Sequence, residues 1–83
     1  MNYIREIIGK KNPSLEELIG CFEQVKKNGD TAVIKFDGER LENGYTIFIT
    51  FPTIKRKEMI RADENDLVVG LTKVLTRYLE GNY

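Results

Sequence analysis

The chain has 83 residues, of which 13 are basic and 13 acidic, and it contains one cysteine and no histidine. Its length suits one domain and excludes two, since natural domains usually have about 50 to 250 residues. The lone cysteine excludes an intramolecular disulfide and a paired-thiolate metal site. The missing histidine excludes Ser-His-Asp and Cys-His catalysis. The sequence therefore favours a protein that is not an enzyme and that needs no metal and no small-molecule cofactor.

The balanced charge gives no strong overall field toward nucleic acid or an anionic membrane, so only a local patch could attract either. Apolar residues near the start are interrupted by Arg5 and Glu6, and they form neither the core of a signal peptide nor a membrane span. We therefore expect a cytoplasmic protein, or one delivered without such a signal, that makes no membrane contact.

Two helices are predicted at the start of the chain. The isoleucines of the first eight residues fall on one side of a short helix that Gly9 ends. After Pro13 breaks the chain, Ser14 and Glu17 have the spacing of a capping box, which begins a second helix. Apolar residues then recur at helical spacing up to a cationic last turn, so we predict a helix over Leu15–Lys27.

Three strands are predicted next. Residues 45–51 read Tyr-Thr-Ile-Phe-Ile-Thr-Phe, and their two-residue period between Gly44 and Pro52 indicates a central strand. Residues 31–36 alternate in the same way and predict a first strand, joined to it as an antiparallel hairpin by a longer loop. Weaker alternation predicts a third strand over residues 57–62, whose pairing with the first or second strand stays open.

The same alternation predicts which side of the sheet is buried. The expected core residues of the first two strands are Ala32, Ile34, Phe36, Tyr45, Ile47, Ile49 and Phe51. Acidic residues then precede a last helix, whose positive end they would face: Asp63, Glu64 and Asp66. We predict an α+β fold, a small antiparallel three-stranded sheet with two helices packed on one face, in the order α-β-β-β-α after an optional short helix.

The face of the predicted sheet that the helices leave uncovered is the first candidate interaction surface. It combines an apolar centre with a polar and basic rim, as many protein interfaces do. Two alternatives stay open: the first helix folds across this face, or its apolar residues are scattered ones without a role. The residues assigned to it are Val33, Lys35, Phe48, Lys57, Met59 and Arg61.

The loop of the predicted hairpin is the second candidate surface. Its carboxylates could suit a hard cation, but their spacing does not match a calcium loop, which favours an ordinary charged loop and no metal. At an exposed tip, the same residues could instead engage a basic site on another protein. They are Asp37, Glu39, Arg40 and Glu42.

A basic run supports an alternative, nucleic-acid binding. Lys55, Arg56 and Lys57, with Arg61 nearby, could contact phosphates. Lys73 and Arg77 lie one turn apart on the predicted last helix and could join them. The competing interpretation is a solvated charge run that discourages strand aggregation.

The α-β-β-β-α order resembles that of double-stranded RNA-binding domains and of small HicA-type toxins. The resemblance lies in element order. Acidic residues replace the basic cluster that such RNA-binding domains carry at the start of the last helix, and the toxins' catalytic histidine has no counterpart. We therefore rank nucleic acid behind protein as a partner.

Three further residue types are interpreted structurally. Cys21 is expected to be a small buried hydrophobe, since no histidine could activate it. Gly70 is expected to mark a close backbone approach. The tyrosines are expected to pack their rings and send their hydroxyls to water: Tyr3, Tyr45, Tyr78 and Tyr83.

These patterns favour a small non-catalytic protein-binding module, of the inhibitor, immunity or phage accessory type, that occludes a larger protein partner. Nucleic-acid binding through the basic run is the second hypothesis. A homodimer formed through the open face or an edge strand is the third. Enzymatic activity would require a carboxylate-based site or one completed by a partner.

Overall fold

The computed structural model describes residues 2–81, so Tyr83 and the expectation for its hydroxyl lie outside the described residues. The predicted α+β fold is confirmed, with one antiparallel sheet and helices on one side of it. In chain order the elements are α1 Asn2–Ile8, α2 Leu15–Lys27, β1 Thr31–Phe36, β2 Tyr45–Thr50, β3 Ile60–Glu64 and α3 Leu67–Glu80.

The capping box begins α2 as its sequence predicts. The Ser14 hydroxyl accepts from the Glu17 backbone N–H at 3.1 Å, and the Glu17 carboxylate accepts from the Ser14 N–H at 2.9 Å. These bonds satisfy backbone donors that a helix start leaves free. At the other end, Gly29 has a φ of 88°, a conformation that favours glycine, and it turns the chain into β1.

The sheet has the order β1-β2-β3. The third strand therefore pairs with the second, which answers the question that the sequence left open. Ile47 lies opposite Ile34 on one side and Ala62 on the other. The predicted range of the third strand, residues 57–62, is wrong at its start. After β2, residues Thr53–Lys55 form a 3₁₀ turn and Arg56 has a φ of 52°, which keeps the chain out of the sheet until Ile60.

The acidic residues before α3 do not act together as its cap. Asp63 and Glu64 belong to β3, so their predicted place at the helix start is wrong. Asp66 alone is the N-cap, and its carboxylate accepts from the Val69 N–H at 3.0 Å. The strand extends further than predicted because Asp63 and Glu64 pair with Thr46 and Tyr45 of β2.

The core lies between the sheet and α2 with α3. Ile47 and Ile49 are fully buried, and the border of the core includes Ala32, Ile34, Tyr45 and Phe51. Phe36 is the exception to the predicted core, since 67% of it is exposed. It ends the edge strand β1, and its ring packs edge-on against Tyr45 with centroids 5.1 Å apart.

A close approach of α3 to the sheet occurs at Gly70, as predicted. A Cβ atom at this position would overlap Cδ1 of Ile47. The absent side chain therefore lets α3 lie directly on β2.

The short helix α1 completes the core from the side of the other helices. Its Ile4 and Ile7 are buried, and α1 packs against α2 and α3, whereas its backbone lies close to no strand. The alternative in which this helix folds across the second face of the sheet is therefore wrong. Within residues 2–81, that face carries no helix.

Candidate protein-binding site

The open sheet face is defined by the strand residues whose side chains point away from the helices. Val33, Phe48 and Arg61 lie opposite one another across the three strands and form its centre. Val33 and Phe48 are half-buried, whereas Arg61 and Lys35 are exposed. The complete set is Thr31, Val33 and Lys35 on β1, Thr46, Phe48 and Thr50 on β2, and Arg61 and Asp63 on β3.

Asp63 anchors a polar cluster at one end of this face. Its carboxylate accepts from Arg61 at 3.1 Å, from the Thr46 hydroxyl at 2.6 Å and from Arg40 at 3.0 Å. These hydrogen bonds, with the one from Arg61 contributing most, hold the pKa of Asp63 well below its usual range. Asp63 is therefore a fixed anion at neutral pH, and Thr46 is buried beneath the cluster.

Arg40 ties the hairpin loop to the open sheet face. Its guanidinium donates to the Asn43 carbonyl and to Asp63, both at 3.0 Å. The Asp37 carboxylate accepts from the Glu39 N–H at 3.0 Å, which contributes most to holding the pKa of Asp37 below its ordinary value. The two surfaces that the sequence predicted separately are thus joined into one.

The loop is less acidic than its composition indicates. Asp37 has ionic neighbours in Lys35 at 3.5 Å and Arg40 at 3.8 Å, which leaves Glu39 and Glu42 as its exposed carboxylates. Nowhere in residues 2–81 do three or more acidic or thiol side chains gather as metal ligands would. The loop also presents Leu41, which is fully exposed and which sequence reasoning missed, although a leucine between charged loop residues was its visible signal.

Two residues assigned to the open sheet face from the sequence do not join it. Lys57 and Met59 precede β3, because the 3₁₀ turn delays the return of the chain to the sheet. The Lys57 ammonium lies 6.0 Å from the centroid of the Phe51 ring, and that ring stacks on Tyr78 of α3. Lys57 therefore lies beside the core, away from Phe48.

The residues of the basic run make different contacts in the structure. The Lys55 ammonium lies 2.6 Å from the Asp30 carboxylate, which is wholly buried, so Lys55 is neither a ready phosphate ligand nor part of a solvated run. Lys73 pairs with Glu64, and Arg77 donates to the Arg61 carbonyl at 2.8 Å. Arg56 is exposed on the turn.

A buried polar network around Asp30 was not predicted. The Tyr78 hydroxyl donates to Asp30 at 2.7 Å and accepts from the Asn28 side chain at 3.0 Å, so the expectation that it reaches water is wrong. Lys55 also donates to the Asn28 carbonyl at 3.0 Å. The partners are up to 50 residues apart, and no local pattern could have paired them.

Cys21 is confirmed as a buried residue of α2. Burial, followed by the nearby charge of Glu17, raises the pKa of its thiol to about 11. The thiol is therefore protonated at neutral pH, which is unfavourable for a nucleophile.

The chain matches no family model, no curated protein and no solved structure. In residues 2–81, no helix combines the length and the apolar character needed to cross a membrane. The proposed function therefore rests on the geometry of the site.

Proposed function

We propose that the protein is a small non-catalytic binding module, of the inhibitor, immunity or phage accessory type, that occludes the surface of a larger protein. The observation that carries the proposal is the continuity of the open sheet face with the hairpin loop through the contact of Arg40 with Asp63. Together they offer a partner one surface with an apolar centre, a charged rim and an exposed leucine at its end.

The ion pairs within this surface support the proposal. Phe48 lies on the central strand opposite Arg61, and Asp63 pairs with both Arg61 and Arg40. A surface whose side chains are already held loses less conformational entropy on binding than a mobile one does. Aromatic and arginine side chains are also the residues most often responsible for binding energy at interfaces.

The chemistry of the surface indicates the chemistry of its partner. Lys35 and Arg61 flank Phe48, with Arg40 at the loop end. A fitting partner surface would present an apolar side chain toward Val33 and Phe48 and carboxylates toward the flanking cations. Nucleic-acid binding has weaker support, because Lys55 is held by buried Asp30.

The proposal is tested by affinity capture from the source lysate with the wild-type chain and two variants, after nuclease treatment. Phe48→Thr removes the aromatic ring and introduces a β-branched residue that suits a strand, like its neighbours Thr46 and Thr50. Ile54→Ser is the control, since Ile54 is 88% exposed on the 3₁₀ turn, outside the open sheet face. Thermal unfolding shows whether both variants fold.

We expect a protein captured by the wild type and by Ile54→Ser to be lost with Phe48→Thr. Charge reversal in Lys35→Glu is expected to weaken the same capture, and more so at low salt, where charge repulsion is least screened. Capture that is indifferent to Phe48 and Lys35 would refute the open sheet face as the binding surface.

A further inference from the structure

The two edges of the sheet differ in how they are protected. The Asp37 N–H donates to the Gly44 carbonyl at 2.7 Å, which identifies this pair as a hydrogen-bonded pair of the hairpin. Such pairs alternate along an antiparallel ladder. The N–H and C=O groups of Ala32, Ile34 and Phe36 consequently point away from β2, to the outer edge of β1.

The same alternation places the backbone groups of Arg61 at the outer edge of β3. There the Arg77 side chain donates to the Arg61 carbonyl at 2.8 Å, which occupies a group that another strand would need. Within residues 2–81, no hydrogen bond reaches the outward groups of Ala32, Ile34 or Phe36. The outer edge of β3 is therefore partly blocked by Arg77, whereas the outer edge of β1 has backbone groups available to pair with another strand.

A groove runs along the outer edge of β1. It has a volume of about 400 Å³ and lies between β1 and α2. Ile19, which is 41% exposed, and Phe22 form its helical wall, and Ala32 and Ile34 form its floor. Glu23 and Lys26 stand at its rim. Proteins that bind an added strand use unpaired backbone groups at a sheet edge together with an apolar groove beside them. Both features occur at β1.

The arrangement of the helices favours the binding of an extended segment at the edge of β1 over pairing with a second copy of the chain. Of the strands, α2 contacts β1, whereas α3 covers β2 and β3. Strands lie about 4.8 Å apart and packed helices about 8–10 Å apart, so α2 lies over β1 or beyond its outer side. A second copy pairing through its own β1 would bring its α2 into that same space.

We propose that β1 binds an extended segment of another protein as a fourth, antiparallel strand beneath α2. Its residues opposite Ala32 and Ile34 enter the groove and are apolar. The residue opposite Lys35 points to the other face and is acidic, because the Lys35 side chain is 62% exposed and has one carboxylate, Asp37, at 3.5 Å. This surface lies at the outer edge of β1 and shares Lys35 with the open sheet face, but the added strand does not depend on a partner that covers that face.

The probe for this proposal is a random dodecapeptide library displayed on phage and selected against the whole chain. We expect enriched peptides to alternate apolar residues around an acidic one. On binding of the synthetic peptides, the amides of Ala32, Ile34 and Phe36, which face solvent in the free chain, should exchange hydrogen more slowly by NMR. This readout needs no variant of the protein.

Two comparisons test whether the peptide binds as a strand within the groove. Ile19→Glu should weaken peptide binding by about tenfold or more, because it places a charge in the apolar groove, whereas Ile54→Ser should leave it unchanged. Only every second amide of the bound peptide faces β1. N-methylation of the amides that face β1 should therefore abolish binding, and N-methylation of those that face away should be tolerated.

Three results would overturn the proposal. The first is that no peptide is enriched. The second is that enriched peptides bind without slowing exchange at Ala32, Ile34 and Phe36. The third is that the chain alone forms a dimer by sedimentation in which these amides are already protected, since a second copy would then occupy the edge.

Discussion

Single residues set the spacing between the layers of this fold, and the contact of α3 with β2 is the tightest example. Gly70 has no side chain, and Ile47 fills the space that a methyl group would need. Sequence reasoning could identify Gly70 as a site of close approach from its place beside apolar helix residues. It could not name Ile47, because that contact depends on how two distant elements pack.

Gly70→Ala should destabilise the protein. Alanine favours a helix over glycine by about 1 kcal/mol, but overpacking a core costs about 1–3 kcal/mol. Ile47→Val removes Cδ1, the atom in the way, at a cost of about 0.5–1.5 kcal/mol. In the Ile47→Val background, Gly70→Ala should therefore cost less than it does in the wild type. Urea unfolding of the four proteins in this double-mutant cycle measures the difference.

Gly20→Ala is the matched control for that cycle. Its added Cβ would lie 2.8 Å from the hydroxyl of Tyr3, the end of a side chain that is 39% exposed and has room to move. The variant should be neutral or more stable, by up to about 1 kcal/mol. Equal costs at Gly20 and Gly70 would contradict the assigned contact.

Asp63 should contribute to the acid sensitivity of the protein. Its pKa in the folded state lies below the unfolded value of about 4, so its stabilisation is complete above that pH and is lost as the pH falls toward the folded pKa. Asp63→Asn should lower stability at pH 7, and its unfolding curve should approach that of the wild type at low pH. Urea unfolding between pH 2 and pH 7 tests this, with exposed Glu39→Gln as control; parallel curves at all pH values would be inconsistent with the assignment.

Among the elements, those specified by local signals were predicted best. The bounds of α2 follow from the capping box and the cationic last turn, and its range was predicted as observed. β3 was misplaced because its sequence alternates only weakly, and because its start depends on a turn with Arg56 in the left-handed conformation. That conformation is uncommon for a residue other than glycine, so the sequence carried no sign of it.

The same turn is fixed to the rest of the fold by the Asp30 network. Lys55 from the turn and Tyr78 from α3 both donate to Asp30, which lies between α2 and β1. Asp30→Asn should reduce the free energy of unfolding by about 1–3 kcal/mol, because it removes a buried carboxylate that accepts hydrogen bonds from both. Urea unfolding measures this loss, and Glu39→Gln should not show it.

The identity of the donors can be checked in the same experiment. Tyr78→Phe should cause part of the Asp30→Asn loss, and the two losses should not add, since both remove the Tyr78 hydrogen bond. Additive losses would show that Asp30 and Tyr78 do not interact.

At the scale of the whole molecule, all three helices of residues 2–81 lie on one side of the sheet. A domain of this size buries only a little over about 60% of the surface of its unfolded chain, so a partner that covers the open sheet face would add to a thin margin of stability. Sequence alternation could assign Val33 and Phe48 to that face. It could not show that α1 leaves the face open or that Arg40 connects it to the loop, because both depend on long-range packing.

Hydroxyl-radical footprinting of a captured complex, read by mass spectrometry, tests the proposed function most directly. It reports the accessibility of side chains, which a partner lying on the sheet would change. We predict that Phe48 and Val33 oxidise more slowly in the complex than in the isolated chain, whereas Ile54 oxidises at the same rate in both. Unchanged oxidation of Phe48, with protection elsewhere on the molecule, would show that the open sheet face is not where the partner binds.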